Sequence, residues 1–77
     1  MSPTFYEFDG IKIKVHARDH SPPHIHVEGK GHEARFDLRT LELMSNSGFS
    51  RADIKRILDE IQIRAVKLLE LWEAYNE

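Results

Sequence analysis

The chain has no cysteine. That excludes disulfide staples and thiolate metal sites, so stability has to come from packing or from association, and any metal would rest on histidine and carboxylate ligands. Proline and glycine are scarce, at three and four residues, and two of the prolines are adjacent as Pro22-Pro23, which makes turn positions individually readable. No apolar run approaches the length needed to cross a bilayer. Nor is there an excess of one charge: the formal net charge of −2 gives no general attraction to nucleic acid. The first residues, Met1 to Asp9, lack a basic stretch followed by a long apolar one, so they do not read as a secretory signal, and the protein is expected in the cytoplasm.

What is present suits a small soluble domain. With 77 residues there is material for one core and not for two, so residues 1–77 are expected to form a single domain: a β-meander over 4–44, a linker over 45–49 and a C-terminal helix over 50–76. Charge is unevenly distributed along it. Lys12, Lys14, Arg18, Lys30, Arg35, Arg39 and all five histidines fall between residues 12 and 39.

Asp9-Gly10 lies between two runs of aromatic and branched residues, and Asp-Gly tolerates the positive φ of a two-residue hairpin turn. The hairpin this predicts sets Phe8 opposite Ile11, Tyr6 opposite Ile13, Thr4 opposite Val15 and Glu7 opposite Lys12. Polar residues follow from His16 to Ser21, and Pro22-Pro23 forbids helix there. Alternation resumes over His24 to Glu28 and again over Glu33 to Leu38, across a Gly29-Lys30-Gly31 turn. With Lys30-Gly31 as the loop, Ile25 pairs with Phe36, Val27 with Ala34, His26 with Arg35 and His24 with Asp37. A slip by two residues would set His26 beside Glu33 and His24 beside Arg35. Leu41 to Met44 gives a short final strand, and Ser45 to Phe49 reads as linker.

Ser50 can cap the helix that follows, with Asp53 completing a variant capping box. Ile54, Ile57, Leu58, Ile61, Ala65, Leu68, Leu69, Trp72 and Tyr75 then share a stripe of roughly 120°, wide enough to cover a sheet. A straight helix from Ser50 to Asn76 would be roughly 40 Å long, as wide as any domain of this size. Either it breaks near Gln62-Ile63, or its last turns project and bury Leu71, Trp72 and Tyr75 against another molecule. An association surface at these three residues is therefore an expectation, for a partner or for a second copy of the chain.

Strand parity places Tyr6, Phe8, Ile11, Ile13, Val15, Ile25, Val27, Ala34, Phe36 and Leu38 on one face, under the helix. The opposite face collects Lys12, Lys14, His16, His24, His26, Arg35 and Asp37. Three readings of its histidines stand side by side. His24 and His26 project from the same side of a strand about 6.5 to 7 Å apart, but a zinc site needs three or four ligands and no such pattern is present, so no metal or other cofactor is expected. Imidazoles beside Lys and Arg could bind a phosphate and move protons in phosphodiester cleavage, which makes His20, His24 and His26 with Asp19 candidate catalytic residues, and Lys12, Lys14, His16, Arg18 and Arg35 candidate nucleic-acid contacts. Alternatively His24 and His26 are structural, a ring N–H donating to a loop carbonyl to fix the crossover between the hairpins, with Asp19 or Asp37 as another acceptor. His20 and His32 read as solvated loop residues.

The stretch Asp19-His20-Ser21-Pro22-Pro23-His24-Ile25-His26-Val27 resembles the signature of a family of small bacterial proteins known as domain of unknown function 4160. The resemblance extends to Pro3-Thr4, Gly10, the Glu33 to Leu38 strand and the helix end at Leu71-Trp72; the Gly29-Lys30-Gly31 turn is more glycine-rich than the family's pattern. It implies a cytoplasmic component of a toxin-antitoxin-like pair that binds a cognate small protein, with Asp19, His20, Pro22, Pro23, His24 and His26 as the functional focus. It implies no settled chemistry, and whether the protein is an enzyme stays open. The expected fold is α+β, an antiparallel meander of four to five strands with one face covered by a long or broken C-terminal helix. The expected function is that of the toxin of such a pair, acting on RNA or another phosphate-bearing target; the alternative is a non-enzymatic module that docks a partner protein through its helix end and sheet edge.

Overall fold

A computed structural model describes residues 4–16 and 22–76. Strands β1 (Thr4–Phe8), β2 (Ile11–Lys14), β3 (His24–Gly29), β4 (His32–Asp37) and β5 (Leu43–Asn46) precede helices α1 (Arg51–Ile63) and α2 (Ala65–Tyr75). The strands form one open antiparallel sheet in chain order, β1-β2-β3-β4-β5. The fold is α+β.

Turn chemistry sets the registers. Asp9 and Gly10 adopt φ of 47° and 76°, and Lys30 and Gly31 adopt 52° and 76°, so both hairpins close through two consecutive left-handed residues, the backbone that follows strand twist. Phe8 then faces Ile11, Glu7 faces Lys12 and Tyr6 faces Ile13. In the second hairpin His24 faces Asp37, Ile25 faces Phe36, His26 faces Arg35 and Val27 faces Ala34, the unslipped register. At the start of β1 an irregularity between Thr4 and Tyr6 shifts Thr4 to Lys14, not Val15.

The inner face packs as parity requires. Phe8, Ile11, Ile13, Val15, Ile25, Val27, Ala34, Phe36 and Leu38 are buried with Phe49 and with Ile57, Ile61, Leu68 and Trp72 of the helices, while Tyr6 is half-buried beside them. His32 is no solvated loop residue: it opens β4 half-buried, its ring edge-on to Phe49 with centroids 5.5 Å apart.

The last strand lies two residues later than the sequence suggests. At the end of β4 the Asp37 carboxylate accepts from the Arg39 and Thr40 N–H groups at 2.7 and 3.1 Å, and the Asp37 carbonyl accepts from the Leu41 N–H at 2.8 Å. Leu41 closes this corner at φ 63°, so pairing resumes only beyond it and Ser45 and Asn46 belong to β5, not to the linker. Ser50 caps α1 as expected, its Oγ accepting from the Asp53 N–H at 3.1 Å, while the Asp53 carboxylate turns to Lys30 instead of closing the box.

The C-terminal helix is broken, at Arg64. The Arg64 N–H bonds the Ile61 carbonyl and its own carbonyl accepts from Leu68, so one residue ends α1 and starts α2. Its guanidinium lies 3.4 Å above the Tyr6 ring and bonds Glu60 at 2.7 Å. The break returns α2 to the sheet and places Trp72, only 7% exposed, in the core. Of the three residues read as an association surface, Trp72 is therefore taken up by the chain's own core, Leu71 is half-buried against it and Tyr75 alone is exposed.

Candidate functional site

Register brings one set of polar residues together on the sheet face opposite the helices. His26 faces Lys14 on β2 and Arg35 on β4, and Arg35 faces Ser45 on β5. With strands about 4.8 Å apart, Lys14, His26, Arg35 and Ser45 form a lateral row roughly 14 Å long. Arg35 Nε donates to Ser45 Oγ at 3.1 Å, which fixes the guanidinium along the row. His16, just past the end of β2, stacks on His26 with centroids 3.6 Å apart and planes 14° from parallel. The His16 carbonyl accepts from Asn76 Nδ2 at 3.0 Å, so the end of α2 holds the backbone that carries this ring.

His24 has a different environment. It is 6% exposed, and its Nδ1 lies 2.8 Å from the Pro22 carbonyl. A carbonyl only accepts, so Nδ1 carries the hydrogen, and the ring ties the Pro-Pro segment to the start of β3. The neighbouring Leu38 N–H donates to the Pro23 carbonyl at 2.9 Å, a second tie between the same segment and the β4 corner. His24 meets His26 at 5.1 Å between centroids, tilted by 56°. It therefore positions the site from within the fold, and the half-buried His26 is the ring of β3 that solvent reaches.

The face is mixed, not uniformly cationic. Glu7, Glu28 and Glu33 have the same parity as the cations and lie in the next row, where Lys12 faces both Glu7 and Glu28, and Glu28 faces Glu33. Lys14 Nζ bonds Glu28 at 2.8 Å. That bond holds the Glu28 carboxyl below its ordinary range against a smaller opposing effect of burial, with the charges of Lys14, His16 and His26 adding to it. At the far end, burial tends to raise the Asp37 carboxyl, but the Thr40 and Arg39 N–H groups, with the charges of Arg39 and His24, bring it below its usual value.

Lys14, His16, His26 and Arg35 are thus assembled, Lys12 lies in the adjoining acidic row, and His24 lies buried in the row on the other side, opposite Asp37. Arg18, Asp19 and His20 lie outside the described residues. Among the described residues no group of three or more His, Asp or Glu is arranged to hold a metal. Sequence reasoning missed Ser45, assigned to the linker, and Asn76. It also missed the balancing role of Glu28 and Glu33, which the same parity count along β3 and β4 would have supplied.

A five-stranded meander backed by a broken helix, with an imidazole and two cations in one row of its other face, defines an α+β domain whose candidate site lies on the sheet. The chain belongs to the family described as Domain of unknown function (DUF4160), whose model matches residues 10–73. That span runs from the first hairpin turn into α2 and includes the Pro22-Pro23-His24 segment and the whole His26 row. No match was found among curated proteins or among solved structures. Among the described residues no helix is long and apolar enough to cross a membrane.

Proposed function

We propose that the row Lys14, His26, Arg35 and Ser45, with His16 stacked on His26, binds a phosphate group of RNA or of another phosphate-bearing target. The observation that carries this reading is the register that sets a solvent-reached imidazole between an ammonium and a guanidinium. Arg35 supplies a planar donor fork suited to phosphate oxygens, Lys14 a point charge that a phosphate can draw from Glu28, and His26 a ring nitrogen that can bond a phosphate oxygen. The family resemblance extends the reading to the toxin of a toxin-antitoxin-like pair, held in check by a cognate small protein.

The test is fluorescence anisotropy of a short single-stranded RNA with the wild-type protein and with His26→Ala, Arg35→Ala and Lys14→Ala. Each variant should weaken binding several-fold. Because two full cations among the described residues, Lys14 and Arg35, face the site, log K should fall against log salt with a slope of about −1 to −2, far shallower than for an extended basic groove. His24→Ala is the structural control, expected to cost about 1–3 kcal/mol of stability by freeing the Pro22 carbonyl, whereas His26→Ala, which loses its stacking on His16, should cost about 1 kcal/mol or less. A cleavage assay on the same samples divides enzyme from binder: turnover lost in His26→Ala identifies catalysis. RNA affinity unchanged in both His26→Ala and Arg35→Ala would refute the site.

A further inference from the structure

The other side of the molecule has a second feature that the phosphate reading does not use. Strand β5 ends the sheet order, so its outward edge is unpaired within the sheet, and the segment Leu43-Met44-Ser45-Asn46 has none of the lysines or prolines that commonly blunt such edges. Leu43 and Met44 are each 43% exposed although large and apolar. Between β5 and α1 lies a cavity of 390 Å³ with an apolar floor of Leu43, Phe49, Ile54 and Leu58, and with Arg51 and Lys55 lining it.

Those two cations are placed against local preference. Arg51 is the first residue of α1, where the helix dipole favours anions, and Lys55 repeats its charge at i+4, where like charges repel. Neighbouring charges on α1 have partners: Asp53 pairs with Lys30, and Arg56 pairs with Asp9 and Glu60. Among the described residues neither Arg51 nor Lys55 has a carboxylate within ion-pair distance, and both are exposed. An anion delivered from outside would relieve both penalties at once. An extended backbone on β5 would meanwhile pair the open edge and bring alternate side chains over the cavity.

We propose that the groove between β5 and α1 receives an extended segment of a partner protein, which adds a strand to β5, places a large apolar side chain against Phe49, Ile54 and Leu58, and sets a carboxylate between Arg51 and Lys55. The partner's segment thus carries its large apolar residue and its carboxylate two positions apart, on the same side of the added strand. The groove meets the phosphate row only at β5, through Ser45, and its occupation leaves His26 and Lys14 open.

The probe is a short capped peptide with Leu and Glu two positions apart between threonines, titrated into the ¹⁵N-labelled full chain, beside a counterpart with Lys in place of Glu. Binding should shift the amides of Leu43 to Asn46 and of Arg51 to Leu58. The double variant Arg51→Glu/Lys55→Glu should weaken the acidic peptide about tenfold or more and improve the basic one. Because it sets an anion at the helix N-terminus while keeping a like-charge pair at i and i+4, the same variant should keep its unfolding midpoint within a few degrees of wild type, so lost binding cannot be put down to lost folding. RNA affinity in this variant should be unchanged, which separates this proposal from the phosphate site. Shifts absent from β5 and α1, equal affinity for both peptides, or a β5-mediated dimer of the chain that excludes the peptide in sedimentation would each overturn it.

Discussion

Single residues explain why the second hairpin turn is so rich in glycine. Gly31 and Gly29 flank the left-handed Lys30 but answer different demands. Gly31 has φ 76° with open space where a Cβ would stand, so only its backbone conformation resists substitution. At Gly29, which faces Ile11, a Cβ would lie 2.6 Å from the Gly10 carbonyl oxygen and 2.8 Å from the Ile11 Cα, both backbone atoms that no rotamer change can move. Gly31→Ala should cost about 1 kcal/mol, the usual penalty for an alanine held left-handed, and Gly31→Asn less. Gly29→Ala has to part β2 from β3 and should cost about 2–3 kcal/mol, with Gly29→Asn no better. Urea unfolding of the four variants checks this: equal losses at the two positions would mean that the close approach of the first turn to β3 does not constrain the fold. The same scale separates the histidines, since a ring bonded to the Pro22 carbonyl and a ring facing Arg35 differ in role although they stand two residues apart.

At the level of elements, the hairpins were legible because two local signals agreed, an Asp-Gly or Lys-Gly turn and strict alternation on both sides, and the inner face followed from parity. The place of the last strand was not, because tertiary structure overrides local preference there, and the helix break, expected near Gln62-Ile63 on length alone, falls at the next residue, Arg64. Leu41 adopts a backbone that leucine rarely visits, held by its N–H bond to the Asp37 carbonyl and by packing of its half-buried side chain on the core, and nothing in Leu41-Glu42-Leu43 announces it. The break falls in Ile61-Gln62-Ile63-Arg64-Ala65, with neither glycine nor proline; only the mismatch between a straight helix of roughly 40 Å and a body 33 Å in its longest extent required one. Ile63 and Val66, 74% and 75% exposed, mark where the apolar stripe changes course. Arg64 is what holds the break, through Tyr6, the Glu60 carboxylate and the Glu60 carbonyl. Arg64→Ala should therefore cost about 1–2 kcal/mol, more than an exposed helix arginine would, and Arg64→Lys should recover only part of it because an ammonium cannot lie flat on the ring while bonding Glu60 twice. Tyr6→Leu should cost Arg64→Ala most of its effect in a double-mutant cycle; additive losses would show that the two side chains do not act together.

Across the whole molecule, charge pairs join parts that are distant in sequence. Asp9 and Lys30, one from each hairpin turn, pair with Arg56 and Asp53 of α1, so both turns are clasped to the same helix, while Lys14 and Glu28 bridge adjacent strands on the far face. The pH dependence of folding should follow from the carboxylates that the fold holds ionised. Glu28 is held below its ordinary range by Lys14, and Asp37, despite its burial, by the Thr40 and Arg39 N–H groups. Unfolded, both return to ordinary carboxyl values near 4, so between those and the lower folded values the unfolded chain binds more protons. Their stabilisation is therefore complete above the unfolded values and is lost as pH falls through the folded ones. Glu28→Gln removes an exposed ion pair and should cost a few tenths of a kcal/mol at pH 7. Asp37→Ala also removes the acceptor for two backbone N–H groups and should cost about 1 kcal/mol or more there. Both differences from wild type should shrink as the pH is lowered through the folded values, where the native carboxyls take up protons as well. Urea midpoints at neutral and acid pH measure this directly. A Glu28→Gln loss that stayed the same at both would mean that the Lys14–Glu28 contact stabilises by something other than the carboxylate's charge, and that the charge balance drawn for the His26 row has no energetic weight.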